Sequence, residues 1–175
     1  RSYSLPVQNL PSVRGYGDPL TASLTPESGA EFTTVLAGSD SQKLLLVASS
    51  GYGFVIKIAE LYCKNRKGKG IINLSQGAKL LPALMLPANQ ELQDLSLALL
   101  SSDYRLLIID GDTIPEMAKG KGKKLFGIST QAFVNKESEL ISSIWLPKKA
   151  QLVLSLAKKQ LVLAGTELEH YMGEA

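Results

Sequence analysis

Apolar residues in this chain fall in short, nearly unbroken runs separated by Ser, Gly, Pro and Asp, not at the three- and four-residue spacing of an amphipathic helix. The runs are Phe32 to Leu36, Lys43 to Ala48, Phe54 to Ile58, Gly70 to Leu74, Leu97 to Leu100, Tyr104 to Ile109, Lys123 to Ile128 and Ile141 to Leu146. Each has the length and the Leu/Ile/Val content of a buried strand. Lys43 to Ala48 and Phe54 to Ile58 flank Ser49-Ser50-Gly51-Tyr52-Gly53, and Leu97 to Leu100 and Tyr104 to Ile109 flank Ser101-Ser102-Asp103, so both pairs read as β-hairpins. A third hairpin pairs Gln151 to Leu156 with Gln160 to Leu163 through a turn at Ala157-Lys158-Lys159. Helix is confined to single turns at Ile58 to Leu61, Thr113 to Glu116 and Thr166 to Glu169, with Thr113 or Thr166 as cap.

A basic-glycine signature recurs through this pattern: Arg14-Gly15-Tyr16-Gly17, Lys67-Gly68-Lys69-Gly70 and Lys119-Gly120-Lys121-Gly122, at intervals of 53 and 52 residues. Met172-Gly173 stands where the next copy would begin, and Arg1 to Leu5 takes the place of Phe54 to Ile58, so both ends look cut from a longer array. The repeats run over about 1–31, 32–84, 85–136 and 137–175. Self-similarity at such a period, with about four strands per repeat, predicts an all-β, propeller-like fold whose units bury their apolar faces only against neighbours. The same turn of each unit then emerges on one rim, with Gly15, Gly68 and Gly120 in equivalent places.

Length and composition agree with this: 175 residues, 45% hydrophobic and 20% charged, are enough for a substantial core. The most apolar stretch, Leu80 to Leu86, contains Pro82 and is far shorter than a bilayer helix, and no segment reads as a signal peptide. Cys63 is the sole cysteine, which excludes a disulfide framework and suggests a reducing, intracellular setting. Net charge is only +3, but the cations are clustered. Lys64, Arg66, Lys67 and Lys69 stand together without an acid, as do Lys119, Lys121, Lys123 and Lys124. Such clusters raise the local potential as a reader of phosphate backbones requires, and with Arg14 they are the candidate DNA-binding residues. Taken singly, a charge run is more often a solvated loop; recurrence at the repeat period argues against that.

No catalytic constellation accompanies them. His170 is the only histidine, so neither a His-rich metal site nor a Ser/His triad has its parts. The lysine-glycine turns lack the Gly-x-x-x-x-Gly-Lys-Ser/Thr order of a phosphate-cradling loop. Asp103, Asp110 and Asp112 read as turn residues.

Gly51-Tyr52-Gly53-Phe54-Val55, together with Leu10 to Leu20, Asn65 to Gly70 and Ala118 to Lys123, resembles the C-terminal domain of the A subunit of bacterial DNA topoisomerase IV along essentially the whole chain. The related gyrase domain carries a Gln-Arg-Arg-Gly-Gly-Lys-Gly box. The corresponding windows here, Pro11 to Gly17, Lys64 to Gly70 and Glu116 to Gly122, keep the Gly-x-Gly ending but lack the opening Gln and the Arg-Arg pair. The resemblance implies a β-pinwheel, here a partial array of about three blades that exchange strands, binding and bending duplex DNA around its basic rim without gyrase-type wrapping. It implies a non-catalytic part of an ATP-dependent type II topoisomerase, guiding the transported segment for decatenation and supercoil relaxation. The active-site tyrosine motif lies elsewhere in such an enzyme, and none of the six tyrosines here carries it. No cofactor is expected in this part, with ATP and Mg2+ implied for the intact enzyme. The implied partners are duplex DNA and, in a heterotetramer, a second A subunit together with the B subunit. In some members an SMC-like condensin joins them, in the cytoplasm on the chromosome. A gyrase-type wrapping domain is the first alternative. A protein-binding propeller of kelch or WD type is the second, although its Gly-His and Trp-Asp landmarks are missing.

Overall fold

Runs such as Leu44-Leu45-Leu46-Val47 and Phe54-Val55-Ile56 have no polar alternate positions, so as strands they need apolar cover on both faces. The computed structural model, which describes residues 1–10, 14–156 and 159–174, provides it by stacking small antiparallel sheets. Strands β1 (Lys43–Val47) and β2 (Tyr52–Lys57) form the first hairpin, in register from Lys43 opposite Lys57 to Val47 opposite Gly53. Helix α1 (Ile58–Leu61) comes next, and β3 (Leu84–Met85) later pairs with the outer side of β1. Strands β4 (Leu95–Ser101) and β5 (Leu106–Asp110) make the second hairpin. Then come β6 (Lys123–Lys124), α2 (Thr130–Val134) and β7 (Leu140–Pro147), the last paired along the length of β4. Strands β8 (Leu152–Leu156) and β9 (Lys159–Leu163) form the third hairpin, which leads into α3 (Thr166–Glu169).

Because side chains alternate across a strand, each of the first two hairpins serves two cores. Leu44, Leu46, Phe54 and Ile56 pack on one side of the first sheet with Ile71. Leu45, Val47 and Val55 point the other way and meet Leu97, Leu99, Ile109 and Trp145 of the second sheet. The reverse face of that sheet, through Ala98, Ile108 and Leu146, meets Leu152 and Leu163 of the third hairpin. Continuous apolar runs are therefore the signature of sheets sandwiched between sheets.

The strand order β3-β1-β2-β6 holds the key topological fact: β6 lies beyond the second hairpin in sequence but pairs with the first. Tyr52 stands opposite Lys124 and Gly53 opposite Lys123. The approach to β6 is also tied to β2, with Val55 N donating to Pro115 O (2.9 Å) and Met117 N to Val55 O (2.8 Å). Beyond it, Leu125 N donates to Gly51 O (2.8 Å). Glu116 accepts from Lys43 and Lys57 at 3.0 and 3.2 Å, and these ammonium groups, Lys43 first, hold its carboxyl below the usual range. The same exchange recurs at the neighbouring positions. Ser2 and Lys69 trade both backbone hydrogen bonds at 2.9 Å, and Ile108 bridges to Tyr171 and Gly173 at 2.8 and 3.0 Å as Val55 does to Pro115 and Met117. This is a β-pinwheel. Met172 thus takes the place of Glu116, so Met172-Gly173 is an exchange segment and not the start of another basic-glycine turn.

Several elements differ from the sequence reading. Phe32 to Leu36 forms no strand; Phe32 sits edge-on to Tyr3 at 5.7 Å, and Thr34 Oγ1 accepts from Ala83 N at 3.2 Å, so side chains hold this stretch. Lys123 to Ile128 is strand only at its first two residues because Leu125 and Phe126 turn onto Gly51 O, and Gly70 to Leu74 keeps only an isolated bridge. The expected turn at Thr113 starts earlier, as a 3-10 turn over Gly111–Thr113, with Thr113 Oγ1 donating to Asp110 O. Gly165, not Thr166, precedes α3. Helix α2, absent from the sequence reading, is capped by Ser129, whose Oγ accepts from Ala132 N at 3.1 Å. Ala157 and Lys158 of the third hairpin's turn lie outside the described residues.

The second hairpin's turn is tied to the segment beyond β6 by one polar knot. The Asp103 carboxylate accepts from Ser101 Oγ, from Ser138 Oγ (2.9 Å) and from Arg105 Nε (2.7 Å). The Arg105 guanidinium also donates to Gly127 O and Ser138 Oγ and lies 5.2 Å from the Phe126 ring centre. The Ser101 hydrogen bond, then those of Ser138 and Arg105, lower the Asp103 pKa to about 2 from its ordinary 3.8. A carboxylate with a lowered folded-state pKa contributes stability that is complete above its unfolded value and is lost as pH falls through the folded one. Native protein and Asp103→Asn should therefore differ most in denaturant midpoint above about pH 4 and converge towards about pH 2; a pH-independent difference would contradict this assignment.

Strand exchange also explains one glycine. A Cβ on Gly122, whose φ is +84°, would stand 2.3 Å from Gly53 O, whereas one on Gly127 meets nothing within 4 Å. Gly122→Ala should destabilise the protein by more than about 2 kcal/mol and Gly127→Ala by less than about 0.5 kcal/mol in urea unfolding, since only the first adds backbone strain and a backbone clash.

Candidate nucleic-acid interface

The second basic-glycine turn is built by Asn65, whose side chain accepts from Lys67 N (2.9 Å) while its carbonyl accepts from Gly68 N (2.9 Å). This is the local bonding that lets Asn organise tight turns. Gly68, at φ +73°, lies so close to the Tyr3 ring and Ser2 O that a Cβ would fall within 2.9 Å of both. The turn is thereby pressed against the exchanged partner of the Ser2–Lys69 bridge.

The third turn is joined to the second through the backbone. Gly120 N donates to Ile71 O (2.9 Å) and Asn73 N to Gly120 O (2.8 Å), so the residues just after the second signature pair with the middle of the third. The two lysine clusters are held side by side. Arg66 ties the second turn to the segment that follows the first: Thr25 N donates to Arg66 O (2.9 Å), and Arg66 donates through Nε and Nη2 to the carbonyls of Ser23 (2.9 Å) and Ala22 (3.1 Å). A cleft of about 320 Å³, lined by Ser4, Asn9, Ser23, Lys64, Asn65 and Arg66 among others, opens beside this contact.

The nine candidate residues separate by environment. The side chains of Lys64, Lys67, Lys119 and Lys124 are exposed and make no hydrogen bond, ion pair or ring contact with the described residues. Arg66 is committed to the carbonyls above. Lys69 Nζ donates to Glu60 O and stands 4.0 Å from the Glu60 carboxylate. Lys121 Nζ lies 4.0 Å from the Tyr52 ring centre, and Lys123 Nζ donates to Thr113 O at 3.4 Å. Arg14 is exposed, next to Tyr16, whose side chain is fully in solvent; Pro11, Ser12 and Val13, the opening of that window, lie outside the described residues. The turns also differ in backbone: Gly17 is left-handed in the first, Gly68 but not Gly70 in the second, and both Gly120 and Gly122 in the third.

Arg66, Lys69, Lys121 and Lys123 make contacts that position the turns. Sequence reasoning also passed over Tyr52 as the platform for Lys121 and Lys43 as a partner of Glu116. The only signal for Tyr52 was an aromatic between two glycines of a hairpin turn.

No family model matches the chain. It is 40% identical over 174 residues to the A subunit of DNA topoisomerase 4 from Pseudomonas aeruginosa, covering 99% of this chain and 23% of that protein. The corresponding protein of Escherichia coli K12 is 34% identical over the same share. The chain thus spans about a quarter of the length of these relatives. Among solved structures, the E. coli ParC C-terminal domain matches with a TM-score of 0.87 and 34% identity, covering 94% of this chain and 65% of that one. A second C-terminal domain of DNA topoisomerase IV matches with a TM-score of 0.67 at 12% identity, over 86% of this chain and 45% of that one, a likeness of fold alone. With this identity along nearly all its length and the fold of the ParC domain, the chain belongs to the family of C-terminal domains of the topoisomerase IV A subunit.

Proposed function

We propose that this domain is a non-catalytic DNA-binding and DNA-bending module of a type II topoisomerase. Its proposed role is to hold duplex outside the cleavage gate and guide the transported segment for decatenation and supercoil relaxation. The observation that carries the reading is the pair of clusters: Lys64, Lys67, Lys119 and Lys124 project without partners among the described residues from two turns held adjacent by strand pairing. Ammonium groups fixed at one rim favour a polyanion with regularly spaced phosphates, and binding releases condensed counterions from it. The only α-helices among the described residues are four or five residues long, too short to read a major groove, so contacts to backbone phosphate predominate and base sequence matters little. The degenerate signatures, without an Arg-Arg pair, support bending over wrapping of the gyrase kind.

On the same reading the domain works in a heterotetramer that holds the B subunit together with a second A subunit, in the cytoplasm on the chromosome, and an SMC-like condensin is a further partner. Within the described residues no helix is long and apolar enough to cross a membrane.

Salt titration of binding to a fluorescent linear duplex tests the reading. Replacing Lys64, Lys67, Lys119 and Lys124 by Gln should weaken binding and flatten the dependence of log Kobs on log salt by up to about 0.9 for each phosphate no longer neutralised. Replacing Lys79 and Lys136, exposed outside the signatures, should do far less. Equal losses per lysine removed in the two variants would leave only nonspecific net charge. Absence of salt-dependent binding by the native domain would favour a protein-binding propeller.

A further inference from the structure

Exposed lysines in one short turn are ordinarily equivalent to a polyanion, yet these are not equivalent in structure. In the second signature Lys67 points into solvent, whereas Lys69, two residues on, turns back so that its ammonium meets the Glu60 carbonyl. In the third signature Lys119 points into solvent, whereas Lys121 caps the Tyr52 ring and Lys123 reaches the Thr113 carbonyl. Glu60 and Thr113 are 53 residues apart, one repeat period, and each lies in the single helical turn after its hairpin. One lysine of each exchanged segment, Lys69 in one repeat and Lys123 in the next, therefore reaches a carbonyl of the turn that precedes it, although Lys121, which holds the place of Lys69 in the signature, meets Tyr52 instead. Those segments are short. Ser2 and Lys69 share one isolated bridge, and β6 has two residues, so regular strand is brief and the rest of each segment is tied only by scattered backbone hydrogen bonds.

We infer that Lys69, Lys121 and Lys123 are positioning residues that lock the exchanged segment onto its blade, and that Lys67 and Lys119 are the residues they position against the phosphates of a duplex. The inference rests on the DNA-binding reading. In the third turn the lock acts between blades, since Tyr52 belongs to the first hairpin and Lys121 to the segment arriving from the second. A cation held over an aromatic face is constrained in direction as well as distance, and Gly122 against Gly53 brings the two backbones close enough for the contact to form. The signature then has three tasks: its first lysine faces outward, its glycines permit close approach, and its later lysines hold the crest at a fixed angle.

Salt titration and thermal melting of the whole domain, carried out on the same variants, test the division. The double variant Lys67→Gln/Lys119→Gln should reduce the salt slope by up to about 1.8 and leave Tm unchanged. Tyr52→Leu removes no charge; it should lower Tm, weaken duplex binding and leave the slope as it was. Adding Lys121→Gln to Tyr52→Leu should lower Tm no further, while Lys121→Gln alone should lower it as much as Tyr52→Leu does. If Lys121→Gln cuts the slope as far as Lys119→Gln and leaves Tm alone, Lys121 is a direct phosphate contact and the inference is wrong. If the native domain binds no duplex in a salt-dependent way, the DNA reading fails; additive Tm losses in the Tyr52/Lys121 cycle would refute the lock.

Discussion

The free edge of β2 is the constraint on which the rest of this structure depends. Val55 is fully buried, so its N–H and C=O must find partners inside the protein. A buried amide left unpaired costs about 1–3 kcal/mol. The first hairpin cannot satisfy that edge from its own repeat, and the partners come from Pro115 and Met117, beyond the second hairpin. A blade completed by its successor cannot be a self-contained unit, and cooperativity between blades arises from backbone hydrogen bonding before any side chain is considered.

Once that edge is shared, the other features fall into order. The two-faced hairpins stack because each is pinned to the next at fixed spacing, so Leu45 and Val55 meet Leu97 and Ile109 across one core. Close pairing at the hairpin tip leaves no space for a Cβ at Gly122. The second and third basic-glycine turns are part of these exchanged segments, so their lysines are placed by the same backbone bonds that close the blades. Structure and candidate function thus use one element, which is why some of its lysines look outward and others inward.

The hairpins were legible in the sequence because long apolar runs around Ser/Gly turns have few other solutions, and the repeat was legible from the spacing of Lys67 and Lys119. The exchanged strands were not. Two residues such as Lys123-Lys124 become strand only because Tyr52 and Gly53 offer an edge to them, and no local propensity records that. Helix α2 escaped for a related reason: Gln131 to Val134 carries no strong periodicity, and the serine cap at Ser129 is a weak signal alone. The candidate residues were found as a group by charge, but charge cannot distinguish Lys119, in solvent, from Lys121, over a ring 69 positions away in sequence.

Residue-resolved amide hydrogen exchange tests strand exchange most directly. If the blades are completed by their successors, the amides of Met117, Gly120 and Leu125 should open with the same free energy as those of Leu46 and Phe54, which pair β1 with β2, in one cooperative unit under native conditions. Fast, independent exchange at Met117, Gly120 and Leu125, with Leu46 and Phe54 still protected, would show that the first hairpin is stable without them and would contradict the account.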